Sequence, residues 1–98
     1  MLQELQASSF EEHLGTKFRI SLGEGGVLEL ELVQVALYER HPGPRQQPFS
    51  LLFRAPAGRG NLPQAIYRLE HDLMGPLEIF LVPIGPDAQG MRYEAVFN

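Results

Sequence analysis

Cysteine is missing from the 98 residues of this sequence. The chain can therefore form neither a disulfide nor a thiolate, and cysteine nucleophiles and cysteine-ligated metal sites are excluded. Disulfides are common in oxidising compartments and rare in the cytosol. A sequence without cysteine therefore does not identify its compartment. Any chemistry has to come from serine, histidine and acidic side chains.

Long apolar runs are missing as well. The uninterrupted hydrophobic stretches fall far short of the ~20 residues that a membrane-spanning helix needs. The first residues, MLQELQASSFEEH, are acidic where a secretory signal would carry basic residues followed by an apolar segment. These features predict no membrane span, and synthesis in the cytoplasm without a Sec signal.

Basic residues are few. The chain has 8 Lys and Arg against 12 Asp and Glu, which gives a net charge of −4. Nucleic-acid binding depends on basic side chains that neutralise phosphates, so this balance argues against a nucleic-acid partner. Hydrophobic residues at 44% and charged residues at 20% are typical of a folded globular domain, and we expect residues 1–98 to form a single one.

Catalytic and metal-binding patterns are also missing. The three histidines, His13, His41 and His71, have neither the i, i+4 spacing nor the HxH spacing of a metal site. The serines lack the glycine-flanked turn of a nucleophilic serine. Glu29 and Glu31 alternate with leucines, which is typical of the solvent-facing side of a sheet. The sequence therefore predicts no enzymatic activity, no cofactor, and no catalytic, cofactor-binding or metal-binding residues.

Alternation of apolar and polar residues dominates the chain after Gly15. In KFRISL the apolar residues share one face, and the same period of two recurs in later segments. Ahead of them, Ser8 and Ser9 each precede a glutamate by three residues, a capping-box pattern that predicts a short helix. The predicted elements are a helix over about residues 8–14 and strands over about 17–22, 27–39, 49–55, 64–71, 76–83 and 91–97.

Six strands joined by short turns predict an all-β, antiparallel meander. A flat sheet of this kind would leave one face bare and two edges open to aggregation. We therefore expect the meander to form a small barrel or a two-layer sandwich, with the helix covering an open end. The final segment, MRYEAVFN, contributes aromatic residues to the core, so the fold should not close without it.

The second strand changes phase in its middle. Its leucines from Leu28 to Leu32 share one face, and the apolar residues that begin at Val33 take the opposite face. A slip of this kind indicates either a β-bulge near Leu32–Val33 or a strand whose two faces are both covered. In the fifth strand, Glu78 is followed on its own face by apolar residues.

These out-of-phase residues allow two interpretations. Either the barrel or sandwich covers them within one chain, or they form an exposed apolar stripe that binds a protein partner or a second copy. The predicted stripe consists of Val33, Val35, Leu37, Phe80 and Val82.

Five segments resemble a known family. They are HLGTKFRI, PFSLLFRAP, LPQAIYRLEH, LEIFLVPIGPD and GMRYEAVFN, and together they cover most of the chain. Through them the sequence resembles a small bacterial domain family of unknown function, often encoded near phage-tail-collar-like proteins. The resemblance implies an accessory, cap or assembly helper of a phage-tail-fibre-like assembly, with a tail-collar-like protein as partner. It brings no catalytic residues.

The sequence thus predicts a non-enzymatic structural or protein-interaction module, with self-association or a protein partner. The alternative is a small-ligand-binding β-barrel, in which Tyr67, Tyr93 and Arg54 line a pocket at the barrel mouth. A barrel of six strands is filled by its own side chains, which favours the first reading.

Overall fold

A computed structural model describes residues 6–23, 25–38, 48–58 and 62–97. Its elements are one helix, α1 (Ala7–Glu11), and six strands, β1 (Lys17–Gly23), β2 (Gly26–Leu37), β3 (Phe49–Arg54), β4 (Ala65–His71), β5 (Gly75–Asp87) and β6 (Gly90–Phe97). The end of the predicted second strand at Glu39 and His41 in the following loop lie outside the described residues.

The six strands form a closed antiparallel barrel in the order β1-β2-β3-β6-β5-β4. This confirms the all-β class with one short helix, and of the two predicted architectures it selects the barrel. The order departs from a simple meander at one connection, because β3 pairs with β6 while β4 pairs with β5 and β1. The chain therefore passes from β3 to β4 across the barrel, a step that local alternation does not reveal.

The barrel interior is filled by the apolar residues at the alternate, inward-facing positions of each strand. Phe18 and Ile20 are buried as the alternation predicts, but Leu22 is 47% exposed where the β1–β2 register shifts between Ser21 and Gly23. The buried hydrophobic residues are Phe10, Phe18, Ile20, Leu28, Leu30, Leu32, Phe49, Leu51, Phe53, Ala55, Leu69, Ile79, Leu81, Tyr93 and Ala95. Tyr93 and Ala95 among them place β6 in the core, as expected for the last strand.

Helix α1 covers one opening of the barrel. It begins at Ala7, after Gln6, and ends at Glu11, so the predicted capping serines Ser8 and Ser9 lie inside the helix. Phe10 is fully buried, and its ring centroid lies 6.0 Å from that of Phe49 and 5.8 Å from that of Phe97. Because the helix ends at Glu11, Leu14 does not share the face of Phe10 and is 46% exposed, contrary to the predicted helix over 8–14.

Of the two explanations for the change of phase in β2, the structure shows the bulge. The pairing of β2 with β3 shifts register between Leu32 and Gln34, which leaves Val33 as the extra residue. One added residue moves every later side chain to the other face. The apolar residues after the bulge therefore return to the inward phase.

Strand β5 is longer than predicted. It continues to Asp87 through a second register shift between Pro83 and Gly85, beyond the predicted end at about residue 83. The strand pairs with β4 as far as Leu81 and with β6 from Val82 onward. A bulge allows proline and glycine inside a strand because it relaxes the hydrogen-bonded ladder.

Candidate functional site

The five residues of the predicted stripe do not form one surface. Val35 pairs with Leu51 and packs against the core, and Leu37 pairs with the buried Phe49, so both follow the inward phase after the bulge. Leu37 is nevertheless 52% exposed, because it lies at the end of β2.

The remaining three stripe residues divide in two. Val33 lies in the bulge and is half-buried. Phe80 and Val82 remain together on the outer face of β5, where Phe80 is 47% exposed. The shared surface that the sequence suggested is thus limited to these two residues, and binding of a partner there stays a prediction.

A larger apolar surface surrounds Phe80 and Val82. Phe80 lies beside Ile66, which is 68% exposed, and Val82 lies beside Glu94, whose other neighbour is Leu52. Members of such cross-strand pairs point to the same face of a sheet. Ile84 lines a depression together with Leu52 and Glu94, and Val96 follows Glu94 on the same face of β6. The outer apolar band consists of Leu52, Ile66, Phe80, Val82, Ile84 and Val96.

Four members of the outer apolar band, Leu52, Ile66, Ile84 and Val96, were not among the residues predicted to bind. Each of Leu52, Ile66 and Val96 alternates with core residues of its own strand and so lies at an outward position. An apolar residue at a position where the alternation predicts a polar one could have identified all three from the sequence. Ile84 gave no such signal, because it lies at the register shift of β5 and its phase depends on that bulge.

A depression of about 240 Å³ lies beside the outer apolar band. It is lined by Gln34, Ala36, Tyr38, Ser50, Leu52, Ile84 and Glu94. Ser50 follows the outward phase of β3, between the inward Phe49 and Leu51, and yet is only 7% exposed. The depression therefore combines apolar walls with two hydroxyls, an amide and a carboxylate.

The three residues predicted to line a ligand pocket are engaged with other parts of the protein. The Tyr93 hydroxyl accepts a hydrogen bond of 3.0 Å from the Leu62 backbone N–H, and the Tyr67 hydroxyl donates one of 2.6 Å to the Pro63 carbonyl oxygen. Burial and the neighbouring Tyr93 raise the pKa of Tyr67. These two tyrosines fasten the segment that leads from β3 into β4.

Arg54 serves a different contact. Its Nη2 and Nε atoms donate hydrogen bonds of 2.7 and 3.0 Å to Oδ2 of Asp87. The other oxygen of Asp87 accepts the backbone N–H groups of Gln89 and Gly90 and so closes the β5–β6 turn. The hydrogen bond from Arg54, followed by that from Gln89, lowers the pKa of Asp87.

His71 lies at the centre of a polar cluster. Its Nδ1 atom accepts the backbone N–H groups of Leu73 and Met74 at 3.0 and 3.2 Å, so the ring proton belongs on Nε2. Nε2 then donates to the Thr16 hydroxyl at 2.9 Å, and that hydroxyl donates to the His13 carbonyl oxygen at 2.6 Å. An imidazole with both nitrogens occupied in this way is a structural link between β4 and the end of α1, and it has no free nitrogen to act as a base.

Burial and nearby charges disfavour the protonated form of His71. Burial, the nearby His13 and Arg19 lower the pKa of His71, and Asp72 opposes them. Its ring lies 4.5 Å from the rings of both His13 and Phe18, centroid to centroid.

No group of three or more His, Asp or Glu side chains within residues 6–23, 25–38, 48–58 and 62–97 is arranged to hold a metal ion. In the same described residues, no helix is long and apolar enough to cross a membrane.

Comparison with known proteins identifies the family but not a function. Neither the curated proteins nor the solved structures include a significant match to this chain. Among protein families, residues 5–97 match the domain of unknown function DUF6916. That match spans nearly the whole chain, so the protein belongs to the DUF6916 family.

Proposed function

We propose that this domain is a non-enzymatic protein-interaction module that binds its partner through the outer apolar band. The observation that carries the proposal is the adjacency of Ile66 and Phe80, which pair across β4 and β5 and are 68% and 47% exposed. Contiguous apolar surface that is exposed to solvent commonly marks a protein-interaction site. Val82, Leu52 and Ile84 extend this surface toward β6 and β3.

The architecture supports docking of a flat surface in preference to uptake of a ligand in the barrel. The barrel interior is filled by aromatic and branched side chains such as Phe18, Phe53 and Tyr93, all fully buried. The two tyrosines and Arg54, which were candidates for a ligand site, form hydrogen bonds with other residues of the same chain. Rigid strands around a packed core present the band as a preformed face, which lowers the entropic cost of binding.

The resemblance to a family encoded near phage-tail-collar-like proteins supports a particular assembly. We propose that the domain acts as an accessory, cap or assembly helper of a tail-fibre-like structure, with a tail-collar-like protein or a second copy as its partner. It would be made in the cytoplasm and would reach an extracellular or phage-like particle as part of the assembly.

A pair of charge substitutions tests the proposal. Phe80→Glu places a charge in the centre of the outer apolar band, and Leu73→Glu places the same charge on an 80% exposed leucine in the β4–β5 turn, outside the band. The wild type and both variants are used to isolate partners from the native host. The identified partner is then purified and its affinity measured by titration calorimetry, and self-association is followed by sedimentation velocity.

The proposal predicts that Phe80→Glu weakens binding by at least about tenfold, as expected when a buried aromatic anchor is lost. Leu73→Glu should bind like the wild type. Equal affinity of all three proteins for the purified partner would overturn the outer apolar band as the docking surface.

A further inference from the structure

The depression beside the outer apolar band contains a buried hydroxyl, that of Ser50. Ser50 lines it and is 93% buried, as follows from its 7% exposure. Among the described residues, no hydrogen bond involves the Ser50 hydroxyl. A buried polar group without a hydrogen bond is costly and therefore uncommon in native proteins. The hydroxyl is thus available to a group that enters the depression.

The depression also contains the Tyr38 hydroxyl, the Gln34 amide and the Glu94 carboxylate. Glu94 is the charged residue among the described residues that line the depression, and it forms no ion pair with any of them. Its cross-strand neighbours are Val82 and Leu52, neither of which can donate to it. Arg92, two residues earlier on β6, donates through Nε to the Gly85 carbonyl oxygen. Gln34 adds an amide at the rim.

The size of the depression limits its occupant. Its volume of about 240 Å³ lies below the roughly 300–1,000 Å³ of pockets that hold small-molecule ligands and cofactors. It is open on the outer face and has apolar walls from Ala36, Leu52 and Ile84. One long side chain with an apolar stem and a charged tip matches this shape and this lining.

We infer that the depression receives a lysine side chain of the partner that docks on the outer apolar band. The ammonium group donates hydrogen bonds to the Glu94 carboxylate and the Ser50 hydroxyl, while the methylene stem packs on Leu52 and Ile84. The apolar residues on either side of that lysine contact the outer apolar band. The inference rests on the proposed function, because it names the chemistry of the partner at the same face.

The test uses two tripeptides as probes of the purified domain. One is acetyl-Val-Lys-Val-amide, and the other replaces lysine with norleucine, which keeps the stem and removes the charge. Each is titrated into the ¹⁵N-labelled protein, and the amide signals of Gln34, Ser50 and Glu94 are followed by NMR. The lysine peptide should bind saturably at these residues and about tenfold more tightly than the norleucine peptide. Its binding should also weaken with added salt.

Substitutions test whether the Glu94 and Ser50 side chains cause the preference for the lysine peptide over the norleucine peptide. Glu94→Gln should abolish the preference for lysine, and Ser50→Ala should weaken binding of the lysine peptide. Glu29→Gln removes one charge from an exposed position on β2 outside the depression and should change nothing. Loss of preference in Glu29→Gln to the same extent as in Glu94→Gln would overturn the inference, as would lysine-peptide shifts that map to other residues or fail to saturate.

The inference and the proposed function fail in different ways. Equal binding of the two peptides at the band would remove the lysine site and leave docking through the outer apolar band intact. A partner that binds Phe80→Glu as tightly as wild type would remove the docking surface, while the lysine peptide could still select Glu94.

Discussion

Among the glycines of the described residues, Gly90 is the one at which a single added methyl group should be most damaging. It begins β6 with φ of +149°, a conformation that side chains with a Cβ rarely adopt. A Cβ at this position would overlap the carbonyl oxygen of Ala55 and lie 3.0 Å from its carbonyl carbon and 3.2 Å from that of Pro56. These neighbours are backbone atoms, so no side-chain rotation relieves the overlap.

The expected cost follows from these contacts. The backbone conformation costs about 1–3 kcal/mol with a Cβ present. Separating the two segments also weakens the hydrogen bond of 2.9 Å from the Ala55 N–H to the Met91 carbonyl oxygen, worth about 1 kcal/mol. Gly90→Ala should therefore lower the free energy of unfolding by about 2–4 kcal/mol. For a domain of this length that corresponds to a fall in Tm of roughly 10–25 °C.

Gly75→Ala is the matched control. Gly75 also has a positive φ, +78°, but a Cβ there meets nothing within 4 Å, so only the backbone term of about 1–2 kcal/mol applies. Both variants are compared with the wild type by thermal and urea unfolding, monitored by far-UV circular dichroism. A Gly90→Ala variant no less stable than Gly75→Ala would refute the close approach of β6 to the segment after β3.

Three further predictions concern the buried contacts. His71 has a lowered pKa in the folded protein, so the unfolded chain binds the proton more readily and stability should fall as the pH drops below about 6.5. This residue should contribute at most about 1.4 kcal/mol per pH unit to the change in the free energy of unfolding with pH. The pH dependence should be smaller in His71→Asn, whose side-chain oxygen can still accept from the backbone. If urea unfolding gave the two proteins the same pH dependence of stability, the prediction would be contradicted. Phe10→Ala should cost about 3–5 kcal/mol in urea unfolding because it empties the covered end of the barrel, whereas Leu14→Ala, at a 46% exposed site, should cost about 0.5 kcal/mol or less; similar losses would disprove the role of α1. Deletion of residues 93–98 removes most of the β3–β6 ladder and the Tyr93 anchor and should abolish cooperative melting, so a truncated protein that still melts cooperatively as a β protein would show that the barrel closes without this strand.

Local periodicity predicts much of this fold. The alternation in KFRISL and FSLLFR identifies inward residues such as Phe18 and Phe53. The change of phase after Leu32 indicates either a bulge or a strand with both faces covered, and the register shift identifies the bulge. These features depend on the two-residue period of a strand, which a single sequence displays.

The strand order and the candidate surface could not be predicted from the sequence and were found only in the tertiary structure. No local signal shows that β3 pairs with β6, because that pairing depends on the connection across the barrel end. The bulge turns Val35 and Leu37 inward and separates them from Phe80 and Val82. Only cross-strand register brings Ile66 beside Phe80 and Leu52 beside Glu94. A residue's face can be predicted from its own strand, but its neighbours on that face depend on the others.

The most direct test of the proposed function places a photoreactive side chain on the outer apolar band. p-Benzoyl-L-phenylalanine is introduced in the native host in place of Phe80, and in place of Leu73 in a parallel strain. The proposed docking surface predicts that light links position 80 to one specific protein or to a second copy, and that position 73 gives no such product. Absence of a product at position 80, or the same products at both positions, would contradict it.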